Sequence, residues 1–334
     1  MRRVLKWLAE SAPSVAAIEW ALTLWLNLVS WLKPLDKFEA KVTVVVPAFN
    51  VEPYIAQSMR SLRAQRYKNL RVILVDDHCT DGSMDRARPF QSKFHLDIIR
   101  GTANGLGAAR NSGVAEVQDT DYLIFLDSDD VMIPGTLSKL TRLARKFNAD
   151  IVNGQSAKFL GALIFPRRDT RFLYRNRKEA ALTLAEEPAM IYDSTPWNKL
   201  FSWKFWNEAE LSWPVKVYFE DLIVSAKAFS FGAKVVLTPK FIYLWRERVG
   251  QSKSITQTHG EIRTLRDRVN ANKLAYEFLL EAKAAGRIND QVIEVFRKKL
   301  REHDYAIYQP RYPNPDSEAK ELLREFAELA GLDH

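Results

Sequence analysis

Between Lys41 and Gln155 the chain keeps returning to one pattern: a short run of β-branched and aliphatic residues, then a longer stretch with apolar residues at helical spacing. KVTVVVPAF, LRVILVDD, LDIIR, DYLIFLDSDD and ADIVNGQ read as strands, the first expected to stop at Pro47. EPYIAQSMRSLRAQ, DGSMDRARPFQSK, LGAARNSGVAEV and IPGTLSKLTRLARKF read as helices, the first with Ile55, Met59 and Leu62 on one face. Strand and helix that alternate in this way need crossover connections, which predicts an α/β fold with a mostly parallel sheet and helices on both faces. Ligands of such sheets lie beyond the carboxyl ends of the strands. The ends concerned here are PAFN, VDD and LDSDD.

Those ends carry negative charge where a neutral turn would be cheaper. YLIFLDSDD runs from apolar residues straight into Asp127, Asp129 and Asp130, and carboxylates this close repel and resist leaving water. Asp127 and Asp129 flank Ser128, so in an extended or turning segment they project to the same side and can share a cation. Hard oxygen ligands without His or Cys suit Mg2+ or Mn2+, which keep waters and take phosphate oxygens as further ligands. The missing positive charge is then a divalent metal carrying a diphosphate; the bland reading of a lone Asp-x-Asp is a solvated loop cap. Asp76 and Asp77 end another strand, as further site carboxylates or as helix caps together with Asp81. Glu52 follows the first strand. In NGLGAARNSG, Gly105 and Gly107 open a helix whose N–H groups can approach a phosphate, with Arg110 a turn on. A dinucleotide fingerprint is rejected, because Arg110 stands where Gly or Ala is needed and the segment follows the third strand. A P-loop motif is absent from the sequence.

Outside this core the sequence changes character. At 334 residues, 47% hydrophobic and 27% charged, the chain is globular in composition; its net charge of +8 favours an acidic partner. A single cysteine, Cys79, excludes an intrachain disulfide and fits a reducing cytoplasm. Residues 14–32 are almost long enough to span a bilayer, but Glu19, Thr23, Asn27 and Ser30 form a polar stripe opposite tryptophans and leucines, between basic flanks. This stretch reads as an interfacial membrane helix, as a helix packed on protein, or as a span. Pro166–Lys178 holds six Arg or Lys against one Asp, a solvated loop or a site for an anionic acceptor or lipid headgroups. From about residue 257 onward three helices are expected. The organisation is therefore an amphipathic N-terminal helix (1–40), an α/β domain (41–256, divided near 155) and a C-terminal helical region (257–334).

VVVPAFNVEPYIAQSMRSLRAQ, VILVDDHCTDGS, NGLGAARNSG and YLIFLDSDD, in that order, resemble the nucleotide-sugar half of family 2 inverting glycosyltransferases of the GT-A fold. TPWNKLF, VYFEDLIVSAKAF and YLWRERVGQSKSIT look like the acceptor half of bacterial members that build capsule, lipopolysaccharide or teichoic-type polymers. The resemblance covers about residues 41 to 257. It implies that Pro47, Phe49 and Glu52 line the nucleotide pocket, that Asp77 reads the base, and that Arg110 lies near the diphosphate. It further implies Asp127 near the ribose or a metal-bound water, Asp129 on Mn2+ or Mg2+, and Asp221 of the Glu220–Asp221 pair as catalytic base. The family usually has Gly-Ser where this chain has His78-Cys79, and more often Tyr where it has Phe49.

On that reading Trp245, Arg246 and Arg248 face the donor, the arginines helping to neutralise the leaving diphosphate. Asp221 starts an apolar-periodic helix, which favours its ionised form, though the same position suits a plain helix cap. Trp197, Trp213 and Trp245 stack on sugars or pack in the core. The implied partners are a nucleoside-diphosphate sugar, most simply a UDP-sugar, and a glycan or lipid-linked acceptor at the inner face of the cell membrane. A homo-oligomer is compatible; a nucleic-acid partner is not, since the carboxylate clusters would repel phosphates in the absence of metal. The rival from another class is a non-catalytic membrane-associated assembly subunit that keeps the sugar-nucleotide fold.

Overall fold

The computed structural model describes residues 22–28, 40–160, 163–247 and 261–332. The chain forms two compact units: one of Met1–Ala181, Trp197–Lys204 and Val235–Val249, the other of Leu182–Pro196, Phe205–Lys234 and Gly250–His334.

The first unit is built on a sheet of strands β1 (Val42–Ala48), β2 (Leu70–Asp76), β3 (His95–Arg100), β4 (Tyr122–Phe125), β5 (Val131–Met132), β6 (Ile151–Leu160), β7 (Leu163–Pro166), β8 (Ala181–Leu182), β9 (Lys199–Ser202) and β10 (Val235–Arg246). Its order is β3-β2-β1-β4-β9-β6-β10-β5, with β7 beside β6. The pairs β2–β3, β1–β2, β1–β4 and β6–β10 are parallel, whereas β9 enters antiparallel between β4 and β6, and β5 and β7 are antiparallel edges. Every residue of β1 is buried, as a central strand covered on both faces requires. The helices Glu52–Arg63, Leu106–Ala115 and Thr136–Phe147 arise where the periodicity placed them, and Ile55, Met59 and Leu62 are fully buried.

Two strands run through prolines, and the first of these, Pro47, was expected to end its strand. β1 continues past Pro47, which pairs with Val75 of β2; its other neighbour, β4, is paired only as far as Val45, so the absent N–H costs no ladder bond on that side. β10 continues through Pro239 with register shifts between Thr238 and Phe241 and between Phe241 and Tyr243, so AKVVLTP and YLWR are one bulged strand. DGSMDRARPFQSK is divided: an α-helix at Ser83–Ala87 passes into a 3-10 turn, Arg88–Ser92, that contains Pro89.

Of the N-terminal apolar stretch, residues 22–28 are described and helical. Leu26 is buried in a cluster with Ala64, Val131, Ala157, Phe159 and Leu244, while Leu24, Trp25 and Leu28 are exposed. That segment therefore packs on the unit through Leu26 and the half-buried Leu22 and leaves three apolar residues outside; the rest of 14–32 lies outside the described residues. Among the described residues no helix is long and apolar enough to cross a membrane. Trp197 is buried and stacked on Tyr243 at 4.3 Å, core packing and not a sugar platform.

The second unit is mostly helical: Glu220–Ser230, Ile262–Ala284, Asp290–Lys299 and Ser317–Ala330. The Ile262–Ala284 helix packs along Glu220–Ser230 and against Ser317–Ala330. Asn289 caps the third of these helices by accepting from Val292 N at 3.3 Å, and Asp316 caps the last by accepting from Ala319 N at 2.8 Å. A π-helical turn, Leu300–Tyr305, lies between them. Trp213 is buried beside Trp206 with ring centroids 6.3 Å apart, again core packing.

Candidate active site

At the carboxyl ends of β1 and β2 two loops are laced together. Asn50 Oδ1 accepts from Thr80 N at 2.8 Å, Val51 N donates to Ser83 Oγ at 2.8 Å, and Glu52 N donates to Asp81 Oδ2 at 3.0 Å. Glu52 answers from its side chain, accepting from Gly82 N at 3.0 Å and from Arg86 at 2.9 Å; these bonds hold its carboxyl below the usual range. A Cβ on Gly82 would stand 2.8 Å from the Glu52 carboxyl carbon, so only glycine allows this approach. Glu52 thus fastens the loop. Pro47 is buried in β1, and Phe49 is 60% exposed just past the strand end.

The paired aspartates after β2 divide their work. Asp76 accepts from Cys79 N at 2.8 Å and pairs with Arg100 at 2.5 Å; burial opposes its charge, but these partners outweigh it and hold the carboxyl low. Asp77 is buried and accepts from Ala103 N at 2.9 Å. A Cβ on Gly101 would meet its Oδ1 at 2.6 Å. His78 stands at φ +67, the left-handed conformation that suits the glycine usual at this position in the resemblance. Its Nε2 lies 3.1 Å from the Gly101 carbonyl and its Nδ1 3.0 Å from Arg100 Nη2, so the proton sits on Nε2 and donates to the carbonyl. The departure at 78 is accommodated by cross-linking the loops after β2 and β3. Cys79 Sγ donates to Ala48 O at 3.4 Å.

After β4 the three carboxylates separate by burial. Asp130 turns inward: Tyr243 OH donates to its Oδ2 at 2.7 Å and Arg246 N to its Oδ1 at 2.7 Å. Burial pushes this carboxyl well above its ordinary range, and the negative Asp129 and Asp127 add to the effect. Asp127 and Asp129 stay partly exposed. Asp127 N donates to Tyr243 OH at 3.2 Å, and Asp127 Oδ1 accepts from Arg110 Nη2 at 2.9 Å. Arg110 is itself buried on the Leu106–Ala115 helix, which lies close on β1 because Gly113 faces the Val45 side chain with no Cβ of its own. Arg246 takes partners that sequence reasoning did not foresee. It is buried, its Nε donates to Asp129 O at 2.6 Å, its Nη2 bonds Gln57 Oε1, and its guanidinium lies over the rings of Phe159 and Tyr54 at 4.3 and 4.9 Å. Arg246 and Tyr243 are thus the fasteners of the acidic loop. Trp245 between them is half-buried, with Lys158 over its ring at 5.3 Å. Arg248 lies outside the described residues.

Asp127 and Asp129 fit a divalent cation by donor chemistry: two hard oxygen donors, partly exposed, whose negative charges add to the upward push that burial gives Asp130. Among the described residues no three His, Cys, Asp or Glu are grouped to hold an ion alone, so substrate oxygens and water would complete the shell.

In the second unit Glu220 is buried and Asp221 half-buried in the first turn of their helix. Phe219 before them is at φ +65, and Asp221 Oδ1 accepts from Leu222 N at 2.8 Å. An anionic pair at a helix N-terminus is stabilised by the helix dipole.

The sheet order, the crossover helices and the acidic loop after β4 define a GT-A fold of the glycosyltransferase type. Residues 43–205 match the family model described as glycosyl transferase family 2. It is 27% identical over 223 residues to the glycosyltransferase GlyA of Streptococcus pneumoniae serotype 4, covering 63% of this chain and 31% of that protein. The chain thus spans about a third of the length of that relative. By fold it resembles TarS 1–349 of S. aureus at a TM-score of 0.68 and 18% identity, covering 87% of this chain and 81% of that one; TarS in complex with UDP-GlcNAc superposes at 0.60. It also resembles the mannosyltransferase PcManGT from Pyrobaculum calidifontis in complex with GDP-Man and Mn2+, at a TM-score of 0.54 and 17% identity over 96% of this chain and 98% of that one.

Proposed function

We propose that the chain transfers a sugar from a nucleoside-diphosphate sugar, most simply a UDP-sugar, to a hydroxyl of a cell-surface glycan or lipid-linked acceptor with inversion. The observation that carries this reading is that Asp77 and the Asp127–Asp129 pair follow the carboxyl ends of β2 and β4, the strands on either side of β1, with Arg110 bonded to Asp127, in loops that the protein has tied down by dedicated bonds. Asp77 and the loop around it form the floor for the base, with Phe49 beside the strand end as an aromatic face. A Mn2+ or Mg2+ on Asp129 and Asp127, when bound, supplies Lewis-acid neutralisation of the leaving diphosphate. Arg110 holds Asp127 in place for that duty. Asp221 takes the proton of the acceptor hydroxyl; the acceptor oxygen forms its bond to the anomeric carbon from the face opposite the diphosphate, whose C–O bond breaks with the electron pair leaving on oxygen. Glu220 stands beside it on the same helical turn. The solved relatives bound to UDP-GlcNAc and to GDP-Man with Mn2+ support a sugar-nucleotide donor of this class.

The test is release of nucleoside diphosphate from a panel of sugar nucleotides, with and without Mn2+, by the whole chain and by Asp129→Ala and Asp221→Asn. Metal-dependent release from one donor, reduced at least about 100-fold in both variants, is expected. A chain that binds no donor by calorimetry with Mn2+ present refutes the reading and leaves the assembly-subunit alternative.

A further inference from the structure

The segment Tyr218–Asp221 makes a turn that its own residues do not favour. Phe219 is left-handed at φ +65, a conformation that costs a non-glycine residue about 1–2 kcal/mol and persists only where the surroundings hold it. The Ile262–Ala284 helix, in the C-terminal region, supplies that hold. Asp267 Oδ2 accepts from Tyr218 N at 3.1 Å, the Arg268 guanidinium lies 4.7 Å from the Phe219 ring centroid, and Arg263 lies 4.6 Å from that of Tyr218. Three charged residues within six positions of one helix thus grip two successive residues just ahead of Glu220 and Asp221.

Behind Arg268 is an ionic group with unequal charge. Arg268 pairs with Asp304, and Lys299 Nζ is 3.0 Å from the other oxygen of that carboxylate; Lys299 and Asp304 are buried and Arg268 largely so. Two cations against one anion leave a net positive charge in a low-dielectric place, which is unfavourable unless another anion faces it. Asp221 is among the negative groups that favour charge on Arg268 and on Lys299. Burial opposes the charge of both cations, and Asp221 adds to Asp304 in offsetting it.

We propose that Arg268 is a positioning residue for Asp221, fixing the turn through Phe219 and attracting the carboxylate by its charge, with Lys299 and Asp304 as its support. The proposal rests on the reading of Asp221 as the base. It gives the C-terminal helices a direct part in the chemistry, since the residues that set the base's place come from 263–304.

The choice of variant follows from the charge count. Arg268→Gln leaves the buried Lys299–Asp304 ion pair in place, whereas removing Asp304 would strand two cations. With the donor chosen by the panel above, three quantities are read: donor affinity by calorimetry, kcat for nucleoside diphosphate release, and the thermal midpoint. Arg268→Gln is expected to bind donor within about twofold of the parent while kcat falls about 10–100-fold, and Arg268→Lys to recover most of the loss. Phe219→Leu, which leaves the ionic group whole, is expected to lower kcat in the same way without changing donor affinity. Full kcat in Arg268→Gln or in Phe219→Leu, beside an inactive Asp221→Asn, overturns the positioning role alone. An active Asp221→Asn overturns the base assignment and this proposal with it.

Discussion

Gly101 decides how near the loop after β3 can come to Asp77. An added methyl group would lie 2.6 Å from the Asp77 Oδ1 and 3.2 Å from its Cα, and the second of these is backbone that cannot swing aside. Gly101→Ala is therefore expected to destabilise by about 1–3 kcal/mol and to weaken nucleotide binding at least about tenfold, read by urea unfolding and by calorimetry with UDP. Tyr243→Phe tests the acidic loop from the other side: it strips Asp130 of its hydroxyl donor and Asp127 N of its acceptor inside the protein, a loss of about 1–3 kcal/mol in unfolding free energy. The place of Asp127 and Asp129 just past the end of β4 was legible in the sequence, because YLIFLDSDD runs from an apolar strand straight into them. The inward turn of Asp130 was not, because the groups it bonds lie 113 and 116 residues away along the chain. Arg246 was legible as a cation near the site, but nothing in WRER tells that its guanidinium is consumed by Asp129, Gln57 and two aromatic rings.

At the level of elements, local patterns carried the helices and the parallel half of the sheet and failed where context overrides them. Pro47 looked like a strand end, yet it sits where its neighbour has stopped pairing. The insertion of β9 between β4 and β6 had no signal in TPWNKLFS, where a four-residue strand contains a fully buried Lys199. The three C-terminal helices were legible; their ionic core was not, since it joins residues from separate helices. That core makes a pH prediction. Burial opposes charge on Asp304, but Arg268 and Lys299 outweigh it and keep the carboxyl below its ordinary range. Its stabilisation is therefore complete above the unfolded-state value of about 4 and is lost as pH falls through the lowered folded value. Urea unfolding of the parent between about pH 7 and pH 3 should show this acid limb, which Asp304→Asn should lack, starting already about 3–5 kcal/mol lower at neutral pH.

For the whole molecule, the net charge of +8, the basic run at 166–178 and the apolar stretch at 14–32 make binding to an anionic membrane surface the property to test. Within the described part of that stretch, Leu24, Trp25 and Leu28 are exposed and Leu26 is buried. The full chain is expected to sediment with vesicles containing anionic lipid, and a chain lacking residues 1–39 to lose at least about tenfold of that binding, with sedimentation unchanged in the shorter chain as the contrary result.

The fastening of the acidic loop by β10 reaches further than stability. The family match ends at residue 205, yet Tyr243 and Arg246, which grip Asp127, Asp129 and Asp130, belong to a strand that begins at Val235. What can be exchanged between relatives is accordingly larger than the shared segment. A chimera that takes residues 43–205 from one member and the remainder from another would inherit the acidic loop without the strand fitted to it, and its buried third aspartate would meet strangers.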